Sequence, residues 1–254
     1  MKRNRQKEIV QILEREKVVI AQDLAERFDV SLATIRRDLD QLEKQRILRK
    51  TYGGAELRDS INSLMPSLSI RHNKAPEAKA AIALAALQYI PNGATIALDS
   101  GSTISELCRH LSSKNNLTII CSDTHNANLT LSSGNRVYMM GGFLTPDGTS
   151  DGTYAREFLS NVGSLDLFIS STDGADPEDG ITTNELGINE LKRRYLKKAN
   201  TTIMMIDHSK FKHKGFYKMC SFSDIDIVIT DNKTPADIIE SIKRQGVQVV
   251  VADF

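Results

Sequence analysis

The sequence predicts an α/β protein in which a mostly parallel sheet follows a small helical N-terminal domain. Three observations lead to this fold. The 254 residues are enough for about two ordinary domains. After residue 74, short apolar segments alternate with helical segments, as in a parallel sheet covered on both faces. Before residue 57, amphipathic helical segments predominate instead.

The net charge of +1 hides a difference between the two parts of the chain. Residues 1–57 hold 13 Lys and Arg against 10 Asp and Glu, a net charge of +3, and the remainder carries −2. A mildly basic head on a mildly acidic body fits nucleic-acid contact that is confined to the head.

The cysteines and the N-terminal segment indicate the compartment. Cys108, Cys121 and Cys220 form no C-x-x-C pair, so we expect reduced thiols and neither a disulfide framework nor a zinc site. The first ten residues carry cations but no apolar stretch typical of a signal peptide, and no run of ~18 apolar residues could span a membrane. We therefore expect a cytoplasmic protein without membrane contact, metal or cofactor.

The head begins with three predicted helices, over residues 3–16, over residues 21–28 and after Ser31. Ser31 is a good N-cap for the third helix. Four apolar residues at helical spacing give this helix one buried face: Leu32, Ile35, Leu39 and Leu42. Cations lie off that face, so the helix suits a major groove.

Residues 47–54 leave the helical period and predict a hairpin, or wing. Its two cations would lie near DNA phosphates. The predicted DNA-binding residues are Ser31, Ala33, Thr34, Arg36, Arg37, Arg49 and Lys50.

We place the DNA-binding domain at residues 1–57 and a linker with Pro66 at residues 58–73. An α/β domain follows over residues 74–254, opening with an Ala-rich helix over residues 74–90. Its predicted strands are 94–98, 117–121, 137–140, 165–170, 202–206, 225–230 and 247–251. Its further predicted helices are 103–111, 126–131, 154–159, 185–198 and 235–244.

Four predicted strand ends carry unusual residues, and ligands of such sheets lie beyond the carboxyl ends of strands. Asp99–Thr103 opens a helix and could cradle a phosphate, or be only a capped turn. Gly141-Gly142 allows close approach of a ligand, or is a tight turn. Asp173–Asp176 offers carboxylates that could bind sugar hydroxyls or act as acid and base, or is an acidic turn. Lys210 offers a cation, or is a solvated surface lysine.

The stretch SLATIRRDLDQLEKQRILRKTYGGA closely resembles the winged helix-turn-helix signature of the DeoR family of bacterial transcription regulators. The four strand ends resemble the sensor domain of that family and ribose-5-phosphate isomerase, which is similar to it in fold. In the isomerases a G-S-T loop holds phosphate, a D-G-A-D motif supplies carboxylates and an S-K motif adds a cation. The implied effector-binding residues are Asp99, Gly101, Ser102, Thr103, Gly141, Gly142, Asp173, Gly174 and Lys210.

One departure from the isomerases argues against catalysis. Glu190 matches their catalytic Glu, but the lysine that they carry in a Gly-rich turn before it has no counterpart in GITTNELGIN. Without that electrophile, an enediolate would lack a large stabilising interaction. The resemblance therefore implies a sensor rather than an enzyme, with no catalytic residues.

The resemblance implies a repressor of a carbohydrate catabolic operon that binds double-stranded operator DNA as a dimer or tetramer. A phosphorylated sugar would release it. One alternative is a sugar-phosphate isomerase with a DNA-binding appendage. Another is a constitutive DNA-binding protein whose larger domain only oligomerises.

Overall fold

The computed structural model describes residues 2–16, 18–44, 47–57, 71–72, 74–145 and 147–254. The chain forms two compact units, Met1–Ile70 and Arg71–Phe254. Of the predicted linker, residues 58–70 and 73 lie outside the described residues. No helix in the described part of the chain is long and apolar enough to cross a membrane.

The smaller unit contains the three predicted helices and the predicted hairpin. Its elements are α1 (Lys2–Glu16), β1 (Val18–Ile20), α2 (Ala21–Arg27), α3 (Leu32–Lys44), β2 (Leu48–Thr51) and β3 (Gly54–Leu57). Strand β3 pairs antiparallel with both β2 and β1. Strand β1 was not predicted, because three residues are too few to show a strand period. Ile9, Leu13, Ile35, Leu39 and Leu48 fill the core.

The larger unit has a central sheet of seven strands, all parallel, in the order β15-β14-β12-β9-β4-β5-β6. This sheet confirms the predicted fold class. Its strands are β4 (Thr95–Leu98), β5 (Thr118–Cys121), β6 (Arg136–Met139), β9 (Leu165–Ser170), β12 (Ala199–Met205), β14 (Ile227–Asp231) and β15 (Gln248–Ala252).

Six helices accompany this sheet: α4 (Pro76–Leu87), α5 (Ser102–His110), α6 (Thr124–Leu131), α7 (Thr153–Asn161), α8 (Leu186–Lys198) and α9 (Ala236–Lys243). Alternate residues of each buried strand point to opposite faces. Ile96 and Leu98 therefore join a core with α4 and α5, whereas Ala97 joins a second core with α7 and α8.

Two smaller sheets were not predicted. Strands β7 (Phe143–Leu144) and β8 (Ser150–Asp151) form a short hairpin. Strands β10 (Gly174–Asp176), β11 (Gly180–Thr183) and β13 (Tyr217–Cys220) form an antiparallel sheet. Strands β10 and β11 are short and rich in Gly, Asp and Thr, which indicates a turn in a sequence, and the two-residue strands β7 and β8 are too short to show a period. The last three residues of the D-G-A-D motif form β10, which lies at the edge of its sheet.

The central sheet reverses its strand order between β4 and β9. From β4 the sheet grows through β5 to β6, and from β9 it grows through β12 to β15. In open α/β sheets the crevice at such a reversal, beyond the carboxyl ends of the strands, is where ligands bind. Residues after Leu98 and Ser170 lie at this crevice.

Candidate functional sites

Helix α3 presents the predicted recognition surface. The Ser31 hydroxyl accepts a hydrogen bond from the Thr34 amide at 3.3 Å, which is the N-cap interaction that the sequence predicted. Ile35 is buried in the core of the unit. Arg36 and Arg37 are exposed, and neither forms an ion pair with a residue that the structure describes. These two guanidinium groups are therefore available to an external partner.

The two cations of the wing are already engaged. Arg49 donates through Nε to Glu56 at 2.6 Å, and Glu56 is buried. Lys50 forms an ion pair with Asp40 of α3. Each cation keeps exposed surface, so a phosphate would share it with a carboxylate. Ala33 is exposed on the first turn of α3.

A buried carboxylate in the smaller unit was missed. Asp38 is buried and accepts hydrogen bonds from Arg5 Nε at 2.6 Å and Gln6 Nε2 at 3.0 Å. It therefore ties α1 to α3. The sequence could have indicated this buried position, because Asp38 lies three residues after Ile35 and four before Leu42, on the apolar face of the helix.

In the larger unit, Asp99 follows β4 at the sheet reversal and is held by interior partners. Its Oδ2 atom lies 2.7 Å from Lys192 Nζ and accepts bonds from the Ser170 hydroxyl at 2.8 Å and the Ser171 amide at 3.1 Å. Asp99 and Lys192 are both buried. This ion pair fastens β4, β9 and α8 together at the bottom of the crevice.

Helix α5 begins at the Gly101 turn, two residues after Asp99. Gly101 has φ +119°, and a Cβ atom there would lie 3.1 Å from the Ser171 hydroxyl and 3.8 Å from Arg71 Nη1. Ser102 and Thr103 are buried on the first turn of α5. Backbone amides at a helix start attract anions, and the absence of a side chain lets this turn lie close to Ser171.

Four cations form a cluster around this crevice, named here the cation cluster: Arg71, Lys74, Lys79 and Lys210. Burial lowers the pKa of Lys79 to about 8; Asp207 opposes the shift, and the other three cations add to it. Burial also lowers the pKa of Lys210, again with contributions from Arg71 and Lys74. Lys79 is buried and Lys210 is half-buried, whereas Lys74 is exposed. Poorly hydrated cations such as Lys79 and Lys210 favour an anionic ligand.

Two members of the cluster were not predicted as site residues. Lys79 is buried within α4 and donates to the Arg71 carbonyl oxygen. The signal was a single lysine in the otherwise apolar stretch AKAAIALAAL. Arg71 fell inside the predicted linker, where the sequence showed no period.

Asp173 lies on the other side of the crevice. Its Oδ2 accepts a hydrogen bond from the Asn184 amide at 2.9 Å, and its charge raises the pKa of Lys210 against the effect of burial. Gly174 has a different role, because a Cβ atom there would collide with the His213 carbonyl group. Gly174 thus permits β10 to pack closely on the segment that carries Lys210.

The second glycine of the pair after β6 has a packing role that the structure shows directly. A Cβ atom on Gly142 would lie 2.7 Å from the Asp151 carbonyl oxygen, so this glycine permits β7 and β8 to approach each other. Gly141 has φ +74° and open space around it. Their strand β6 is at the edge of the sheet, with β5 between it and β4.

Glu190, which matched the isomerase glutamate, lies on α8. Its carboxylate is nearly half exposed and is 3.4 Å from Arg156 Nη1 of α7.

Comparison with known protein families gives a match for each of the two units. A family model described as the DeoR C-terminal sensor domain matches residues 74–232, and one described as a DeoR-like helix-turn-helix domain matches residues 5–61. The fold and the two sites thus define a helix-turn-helix protein with an α/β ligand-binding unit. The chain belongs to the DeoR family of transcription regulators.

Several curated relatives span nearly the whole chain. The HTH-type transcriptional regulator GolR of Listeria innocua is 30% identical and covers 98% of both chains. The glycerol-3-phosphate regulon repressor of Escherichia coli K12 is 29% identical over 95% of both. The transcriptional repressor AccR of Agrobacterium fabrum is 30% identical over 95% of this chain and 94% of its own.

Solved structures resemble parts of the chain. Ribose 5-phosphate isomerase A from Neisseria gonorrhoeae aligns with a TM-score of 0.41 and 16% identity over 52% of each chain. The β subunit of eIF2B from Chaetomium thermophilum aligns with a TM-score of 0.44 and 12% identity over 77% of this chain and 53% of its own.

Proposed function

We propose that this regulator represses a carbohydrate catabolic operon and is released from its operator by a phosphorylated sugar or polyol. The cation cluster beside the Gly101 turn carries the proposal, since it concentrates positive charge at the crevice where the sheet reverses. The name of the Escherichia coli relative supports the assignment, because it refers to a phosphorylated polyol.

The proposed effector site combines both walls of the crevice. The amides of Gly101, Ser102 and Thr103 and the Lys210 ammonium hold the phosphate. Asp173 accepts hydrogen bonds from sugar hydroxyls, and Asp99 keeps the turn in place through Lys192. Gly174 and Gly142 act through the packing of the strands around the site, and Gly141 supplies the left-handed turn after β6.

The proposed DNA contacts lie on α3 and the wing. Arg37, with Arg36 and Thr34 beside it, reads base edges, since Arg to guanine is the commonest direct contact. Arg49 and Lys50 bind phosphates, while Ser31 and Ala33 border the groove. We propose residues 1–57 as the DNA-binding domain, 58–73 as a linker and 74–254 as the sensor.

A single head covers too little DNA for high affinity, so operators of such proteins are usually read by symmetric pairs. We propose a dimer or tetramer held together by the sensor. Sedimentation of a fragment starting at Arg71 should show an oligomer, and a monomer would rule out this assembly.

The decisive experiment measures affinity for the DNA upstream of the chain's own gene by fluorescence anisotropy. Titrations include ribose 5-phosphate, glycerol 3-phosphate, other sugar phosphates and the matching free sugars. We expect at least about tenfold release by a phosphorylated compound, which needs ~1.4 kcal/mol of coupling. Release by free sugars alone would exclude the phosphate site.

Ser102→Ala and Lys210→Ala should keep DNA affinity but lose the response. Turnover of ribose 5-phosphate by the same preparation would instead support the isomerase alternative. A ligand at ~100 times its Kd should also add roughly 2.7 kcal/mol of stability. No shift with any compound would favour a constitutive DNA-binding protein.

A further inference from the structure

Arg71 is the first residue of the larger unit and makes an unusual set of contacts. Its side chain is 13% exposed. Its Nη2 atom donates to Asp147 Oδ2 at 3.1 Å. Its Nε atom is buried and finds no hydrogen-bond partner in the part of the chain that the structure describes. A guanidinium offers five donors in a planar fork, and this fork is only partly used.

The position of the fork relates it to the Gly101 turn. Its Nη1 atom lies 3.8 Å from where a Cβ atom of Gly101 would be, so the guanidinium lies beside the Gly101 turn. Arg71 also adds to the lowering of the pKa of Lys79 and Lys210, after the effect of burial. It is therefore electrostatically part of the site.

We propose that Arg71 binds the phosphate group of the effector and that Asp147 holds the guanidinium in place until the effector arrives. The inference rests on the proposed function, which did not include Arg71. The Nη1 atom beside the Gly101 turn has no hydrogen-bond partner among the described residues. Together with Nη2, which Asp147 engages, it forms the end-on pair of parallel donors that a phosphate accepts in bidentate geometry. Lysine, a point donor, cannot replace this fork.

Asp147 has a defined part in this arrangement. Its Oδ1 atom accepts a hydrogen bond from the Thr145 hydroxyl at 2.5 Å, so the loop after β7 fixes the carboxylate. In the empty site this carboxylate neutralises Arg71. In the filled site it competes with the phosphate for the same cation and repels it. Asp147 thus weakens effector binding, although it lies beside the site.

The test uses the full-length protein and calorimetric titration with inorganic phosphate and with the sugar phosphate that releases DNA most strongly from the wild type. Arg71→Gln should weaken both ligands by at least about tenfold, because a charge-assisted bidentate interaction is lost. Arg71→Lys should restore only part of the affinity. Asp147→Asn should increase the affinity for both ligands by about threefold or more, because the carboxylate no longer competes for Arg71. The gain is modest because a partly exposed ion pair is weak.

The matched control is Arg244→Gln, which removes one cation from an exposed residue after α9. It should bind both ligands as the wild type does. The gain of affinity in Asp147→Asn cannot result from misfolding, so it protects the test if Arg71→Gln is unstable.

The outcomes separate this inference from the proposed function. If the wild type binds phosphorylated compounds and Arg71→Gln binds them equally well, Arg71 is not a ligand and only this inference falls. Weaker binding by Asp147→Asn would also overturn it. If the wild type binds none of them, the proposed effector site falls, and this inference falls with it.

Discussion

The proposed DNA-binding surface and the proposed effector crevice both contain cations, but these cations lie in opposite environments. Arg36 and Arg37 stand in solvent on α3 without carboxylate partners among the described residues, so salt screens them. Lys79 and Lys210 lie in the sheet crevice, where burial lowers their pKa. DNA binding by the α3 surface should therefore depend chiefly on ionic strength, and ligand binding in the crevice should depend chiefly on pH.

The largest expected effect concerns the interior pair beneath the crevice. Lys192→Met leaves Asp99 buried without its cation, and breaking such a pair costs about 3–5 kcal/mol. Urea unfolding should show a loss near the lower end, because Ser170 and Ser171 still donate to the carboxylate. Combining Lys192→Met with Asp99→Asn should restore part of the lost stability. Lys197→Met, exposed on the same helix, should stay within about 0.5 kcal/mol; equal losses would refute the difference between interior and surface.

The next effect belongs to the exposed surface. Arg37→Ala should cost ~1–3 kcal/mol of operator affinity and relax base preference at one position. Anisotropy titrations with the operator and with single-base variants would measure both changes. Lys7→Ala, an exposed residue of α1, is the control. An unchanged base preference in Arg37→Ala would show that the wrong face of α3 was assigned.

The pH dependence of effector binding should separate the two environments. Lys79 has a pKa of about 8 in the free protein, and an anion binds best when this lysine is protonated. Affinity should therefore be highest near neutral pH, where Lys79 is protonated and the ligand phosphate is a dianion, and fall by up to about tenfold per pH unit above pH 8, because each binding event must then add one proton.

Calorimetry between pH 6.5 and 9.5, in buffers of different ionisation enthalpy, would count the protons taken up. Lys79→Arg keeps its charge throughout this range and should remove the pH step. A flat profile in the wild type would mean that Lys79 lies outside the field of the bound anion.

The smallest expected effect lies in the wing. Lys50→Ala should weaken all DNA sequences alike and flatten the salt dependence. The change should stay below ~1 kcal/mol, because Asp40 already engages this cation. Asp40→Asn should do the reverse, raising affinity for unrelated DNA and steepening the salt slope. If both variants weaken DNA binding, the pair positions the wing rather than limiting its charge.

The sequence revealed the parts of the fold that have a strong period. Helix α3 and its Ser31 cap, the hairpin of β2 and β3 and the strands of the central sheet lie within a few residues of their predicted positions. Strands β1, β10 and β13 were missed, because pairing that joins distant segments decides them and local pattern does not.

The site residues were likewise predictable only where a local sequence pattern marks them. A glycine followed by hydroxyl residues at a strand end was visible at Gly101, whereas the partners of Asp99 were not. Lys192 and Lys79 come from helices α8 and α4, and only the folded arrangement of helices on the sheet brings them beside the crevice. Asp38 was visible in principle, since a carboxylate on an apolar stripe demands a buried partner.

The division of the chain between Ile70 and Arg71 has a practical consequence for building hybrid sensors. A natural place to exchange one DNA-binding head for another is the stretch that separates the two family-model matches, after residue 61 and before residue 74. A junction at residue 74 would discard Arg71, whose backbone carbonyl and side chain both bind within the larger unit. A graft that begins before Arg71 transplants the receptor with all of its described cations.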